Sequence, residues 1–130
     1  MTAAGSRFGL THISQISVTV QDLDRAVGFY RDVLGMELLF QVPNLAFFNC
    51  DGIRLMLGVP EQPEFDHPSS VLYFQVADIQ EAYLTLSSRG VRFRGEPHLI
   101  ARMADHDLWM AFFQDSEDNL LALMSEVRQP

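Results

Sequence analysis

The chain has 130 residues, is 48% hydrophobic and carries ten phenylalanines, enough for one sizeable core, while no run of ~18 apolar residues could span a bilayer. All nine basic residues are arginines, which excludes lysine Schiff-base chemistry; seventeen acids bring the formal charge to -8, with no basic stripe for nucleic acid or an anionic membrane. The one cysteine, Cys50, cannot form an internal disulfide, and the opening MTAAGSRFG lacks the apolar run of a secretory signal, so the cytoplasm is the expected location.

Residues 1–9 are expected to be a flexible tail. Residues 13–20 alternate, with Ile16, Val18 and Val20 on one side and Gln15, Ser17 and Thr19 on the other, the period of a half-buried strand. Asp22 then caps a helix whose apolar positions Leu23, Ala26, Val27, Tyr30, Val33 and Leu34 share a face, and Gly35 stops it. MELLFQ, LAFFNC and IRLMLG follow as three strands, the last two joined by the turn Asp51-Gly52. GVPEQPEFDHPSS, with three of the six prolines, reads as a linker.

The second half repeats the plan. VLYFQV is a strand, Asp78 with Glu81 starts a helix, and Gly90 ends it. Asp22-Leu23 and Ala26 match Asp78-Ile79 and Ala82. Phe47-Phe48-Asn49 before Leu55-Met56-Leu57 matches Phe112-Phe113-Gln114 before Leu121-Ala122-Leu123. A single domain over residues 10–126 is expected, built from two βαβββ modules of about 10–58 and 70–126 joined by a linker at 59–69.

The runs VQDLDRAVGFYRDVLGM, FFNCDGIRLML and FFQDSEDNLLAL resemble the vicinal oxygen chelate superfamily, which includes glyoxalase I, extradiol dioxygenases, fosfomycin-modifying enzymes and bleomycin resistance proteins. The resemblance covers about residues 10–126 and implies an α+β fold, two βαβββ modules forming a cup-shaped mixed sheet. One departure is in a turn: Asp115-Ser116-Glu117-Asp118-Asn119 stands where the family usually has Asp-Pro-Asp-Gly-Asn. The larger one concerns metal. In metal-dependent members each module supplies two ligands, typically His or Gln from its first strand and Glu from its last. Counted from the capping aspartates, those positions are here Gln15, Met56, Val71 and Ala122, so three of four ligands are gone. Valine and alanine offer no donor and a thioether suits only soft metals, so no metal or other cofactor is expected.

Among other donors, His12, His67, His98 and His106 are read as surface or loop residues. Asp105-His106-Asp107 is the one dense group of donors; a solvated turn is the favoured reading and an ion site the alternative. Cys50 is read as an inert thiol. No phosphate loop or nucleophile elbow is present.

Strand alternation assigns Gln15, Ser17, Arg54, Met56, Val71, Tyr73, Gln75 and Ala122 to the cup, with Ile16, Val18, Leu55, Leu57, Leu72, Phe74, Leu121 and Leu123 under the helices. Trp109 is added as a ring that could stack on a flat ligand. Arg54 would pair with an anionic group on the ligand or with a nearby acid. Apolar groups mixed with a few polar ones describe a site for an organic small molecule. The resemblance implies a homodimer and, without metal ligands, binding or sequestration in the manner of bleomycin resistance proteins, with no catalytic residue assigned. The alternative is a glyoxalase- or dioxygenase-like enzyme (lyase, isomerase or oxidoreductase), using Asp105-His106-Asp107 with a metal or Tyr73 and Arg54 without one.

Overall fold

The computed structural model describes residues 8–128. The expected tail falls mostly on residues 1–7, outside the described residues. Strand β1 (Gln15–Thr19) leads to Asp22, whose carboxylate accepts from the Arg25 backbone N–H at 3.1 Å and opens helix α1 (Leu23–Gly28). The single helix expected as far as Leu34 instead widens into a π-helical turn over Phe29–Val33, where the Leu34 N–H reaches back five residues to the Phe29 carbonyl at 2.9 Å. Gly35, at φ 77°, then reverses the chain.

Strands β2 (Glu37–Val42), β3 (Leu45–Cys50) and β4 (Ile53–Gly58) complete the first module, and sheet 1 has the order β1-β4-β3-β2 with β1 parallel to β4. Asp51 at φ 49° and Gly52 at φ 91° make the tight β3–β4 turn that the Asp-Gly pair signals. In the second module β5 (Leu72–Gln75) precedes helix α2 (Ile79–Ser88), capped by Asp78. Sheet 2 has the order β5-β9-β8-β6, where β6 is Arg92–Phe93, β8 His106–Gln114 and β9 Leu120–Arg128; β7 (His98–Arg102) also pairs with β8. Parallel β5–β9 repeats parallel β1–β4.

Register makes the repeat exact at the level of pairs. Ser17 lies beside Met56, which faces Phe47; Tyr73 lies beside Ala122, which faces Phe112. The opposite faces carry Val18, Leu57, Phe48, Leu121 and Phe113, which form one core with Ala26, Val27 and Tyr30 of the first helical segment. Burying these side chains supplies most of the folding drive, at roughly 1.5–3 kcal/mol for each large one.

The modules are also tied by polar contacts. The Tyr30 hydroxyl donates to the Asp115 carboxylate at 2.7 Å; both groups are buried, and burial pushes the phenol strongly up. Asp115 further accepts from the N–H groups of Glu117 and Asn119 at 2.8 and 2.9 Å. The Glu117 carboxylate, 2% exposed, reaches across to the first module, accepting from the N–H groups of Gln21 and Asp22 at 2.9 Å each and from Arg25 Nε at 2.7 Å. Burial alone would raise the Glu117 carboxyl; Arg25 and the two backbone donors outweigh it and hold it at about 2. Asp118 takes φ 66°, the left-handed conformation for which the family pattern supplies glycine.

Candidate functional site

The concave side of sheet 1 is set by its register. Gln15, Ser17 and Thr19 on β1 lie beside Arg54, Met56 and Gly58 on β4, which face Asn49, Phe47 and Leu45 on β3. Arg54 is the charged group at one end. Its Nε donates to Gln15 Oε1 at 2.9 Å, and its guanidinium carbon lies 5.5 Å from the centroid of Phe47, on which Phe40 stacks at 4.5 Å. The Gln15 amide also turns an N–H toward the Met56 sulfur at 3.8 Å. Gln15 is therefore an orienting group for an arginine.

Beyond Met56 the face opens into a cavity of about 320 Å3. Its floor is Ser17, Thr19, Leu45, Met56 and Gly58, and its wall is the linker, through Pro60 and Phe65 among others. Thr19 fixes that wall: its N–H donates to Ser69 Oγ at 2.9 Å and its hydroxyl to the Phe65 carbonyl at 3.3 Å. A Cβ at Gly58 would lie 3.3 Å from the Leu45 side chain, so glycine keeps the floor open. A larger hollow of about 880 Å3 sits at the start of α1 beside Asp22, Asp24, Gln41 and Asn44. It is broad, shallow and polar, whereas small-molecule sites are concave and mostly apolar.

Sheet 2 presents a different surface. Tyr73 and Gln75 on β5 share its face with Ala122, Met124, Met110 and Phe112, and His98 joins them from β7. The Tyr73 ring meets Phe112 edge-on at 6.0 Å and His98 lies 6.4 Å from the same ring. Ala122 is fully buried among these residues.

The nine residues expected at the cup therefore divide. Gln15, Ser17, Arg54 and Met56 come together on sheet 1; Tyr73, Gln75 and Ala122 come together on sheet 2. Val71, just before β5, lines a cavity of about 260 Å3 with Ile16, Cys50, Ile53 and Leu55. Trp109 requires correction. It pairs with Ser125, on the face opposite Met110 and Phe112, and packs against the core beside Ile79 and Ala77 rather than in the cup. Thr19, Leu45, Phe47 and Phe112 belong to the concave faces without having been singled out, and His98, expected as a surface or loop residue, is exposed on β7 beside them. The pairing implied by the Asp51-Gly52 turn would have found Phe47 opposite Met56.

The four positions aligned with metal ligands supply one amide oxygen, already engaged by a guanidinium, and one thioether. A fixed positive charge beside the only hard donor opposes a divalent ion, so this set does not fit one. Among the described residues no group of three or more His, Cys, Asp or Glu side chains is placed to share an ion. Asp107 of the acidic triplet pairs with Arg102 at 3.0 Å, and His106 Nδ1 lies 2.7 Å from Asp105. That bond is the leading cause holding the Asp105 carboxyl below its usual range.

Residues 10–123 match the model of the Glyoxalase/Bleomycin resistance protein/Dioxygenase superfamily. The uncharacterized protein YurT of Bacillus subtilis is 30% identical, over 85% of this chain and 95% of its own length. Metallothiol transferase FosB of Staphylococcus epidermidis is 27% identical over 61% of this chain and 60% of its length. Among solved structures, a superfamily member from Sphaerobacter thermophilus superposes with TM-score 0.74 at 26% identity, covering 90% of this chain and 98% of the other. Lactoylglutathione lyase from Agrobacterium tumefaciens gives 0.73 at 21%, covering 90% and 95%, a likeness of fold.

Proposed function

The chain belongs to the glyoxalase/bleomycin resistance protein/dioxygenase superfamily, and within it we propose that this protein binds an organic small molecule without a metal ion, by sequestration, as a cytoplasmic homodimer. The observation that carries this reading is the partly apolar cavity on sheet 1, with Arg54, oriented by Gln15, two residues before the cavity's Met56 on the same strand. Its volume falls at the lower end of the range of small-molecule sites, roughly 300–1,000 Å3. Fold alone does not select among the activities of this superfamily, so the argument rests on the side chains.

A second copy is the natural cover for apolar groups the single chain leaves in water. Leu39, Phe40 and Val42 on edge strand β2 and Tyr73 on β5 are between 42% and 48% exposed. The enzymatic alternative draws support from relatives bearing the names of a transferase and a dioxygenase.

The test is a thermal-shift screen of chelator-stripped protein against small organic molecules, followed by turnover assays on each hit and sedimentation to fix the assembly. Stabilising ligands recovered unchanged from a dimer are the expected result. Conversion of a hit would establish the enzymatic alternative, and an empty screen would remove the small-molecule reading.

A further inference from the structure

The Arg54 guanidinium is held from two sides and used on neither of its remaining corners. Gln15 takes Nε and Phe47 lies under the plane. Among the described residues no partner accepts from either Nη group. The acid that shares this face, Glu37, sits two strands away and accepts from Asn49 at 3.2 Å. A guanidinium fixed at Nε, with its Nη groups unpaired, presents the planar fork that matches a carboxylate. Met56, two residues along β4 and thus ~7 Å away, begins the apolar cavity.

Resting on the small-molecule reading above, we propose that the ligand is an organic monoacid: Arg54 takes its carboxylate by bidentate hydrogen bonds, and its apolar body enters the cavity between Leu45, Met56 and the linker. Gln15 is a positioning residue: it holds Nε and leaves the two Nη groups to take the carboxylate. The formal charge of -8 and Glu61 on the cavity wall work against a dianion and favour a singly charged acid, for which one local pair suffices.

Three probes of one shape, 4-phenylbutyrate, 4-phenylbutyramide and 4-phenylbutylamine, are titrated by calorimetry into the wild-type protein and into Arg54→Met, Arg54→Lys and Gln15→Met. The expected result is that the acid binds the wild type at least tenfold more tightly than the amide or the amine. Arg54→Met abolishes that preference, weakening acid binding at least tenfold more than amide binding. Arg54→Lys keeps part of the preference, since it keeps the charge and loses the fork, and Gln15→Met weakens acid binding alone. An acid that binds no better than its amide, or a preference that survives in Arg54→Met, overturns the anchor and leaves the small-molecule reading standing. No binding of any probe to folded wild type also overturns the anchor; the broader reading falls only with the wider screen.

Discussion

At equivalent register positions sheet 1 carries Ser17, Met56 and Phe47, and sheet 2 carries Tyr73, Ala122 and Phe112. One backbone plan thus bears two linings. On sheet 1 the small Ser17 and Gly58 leave a hollow that the linker walls, and Arg54 lies two residues before its Met56 on the same strand. On sheet 2 three aromatic rings occupy the corresponding space over a buried alanine. The β8–β9 turn adds a second asymmetry: Asp115 and Glu117 carry the polar contacts to Tyr30 and to the start of α1. Pairing register constrains only which residues neighbour one another, so a repeated module is free to diverge in what it presents.

Breaking the seam should have the largest effect. Asp115→Ala removes a buried carboxylate together with the acceptors of the Tyr30 hydroxyl and two backbone N–H groups, and should cost about 3–5 kcal/mol in urea unfolding. A loss below ~1 kcal/mol would mean that the modules do not depend on this contact.

Trp109→Ala comes next. With the ring packed on the helix side of sheet 2, truncation should cost about 2–3 kcal/mol of stability, less than for a fully buried ring, and leave ligand affinity unchanged. Weakened binding at unchanged stability would return Trp109 to the cup.

Glu117→Gln is smaller, about 1–2 kcal/mol at neutral pH, because Arg25 is largely in water and screening weakens the pair. Its pH dependence has a definite sign. The folded carboxyl is held at about 2 against an ordinary value of 4.5, so its stabilisation is fully present above 4.5 and is lost as pH falls toward 2. Denaturant midpoints measured across that window should fall less steeply in Glu117→Gln than in wild type; parallel slopes would contradict the assignment.

Much of the architecture is legible in local sequence, where local physics decides. Alternation over 15–19, the aspartates at 22 and 78 and the Asp51-Gly52 turn each act within a few residues, and the repeated Phe-Phe-polar motif places Phe47 and Phe112 at matching register. Trp109 was misplaced because its aromatic character was weighed without its register: it lies three residues before Phe112, an odd number, and so on the other face. His98, expected as a surface or loop residue, is exposed but opens strand β7, which carries no clear signal because Gly95, at φ 127°, and Pro97 interrupt the pattern before it. The linker wall and the reach of Glu117 to α1 are long-range contacts with no periodic signal. The role of Gln15 is of the same kind, since its register partner Arg54 lies 39 residues away.

The measurement that bears most directly on a metal-free site anchored by Arg54 is a thermal melt of the chelator-stripped protein with and without manganese, nickel and zinc. A bound ion at a hundredfold excess over its Kd would stabilise the fold by about 2.7 kcal/mol, shifting the midpoint by several degrees. The account predicts superimposable melts with all three ions. A reproducible rise in midpoint, with one ion retained per chain after dialysis, would contradict it.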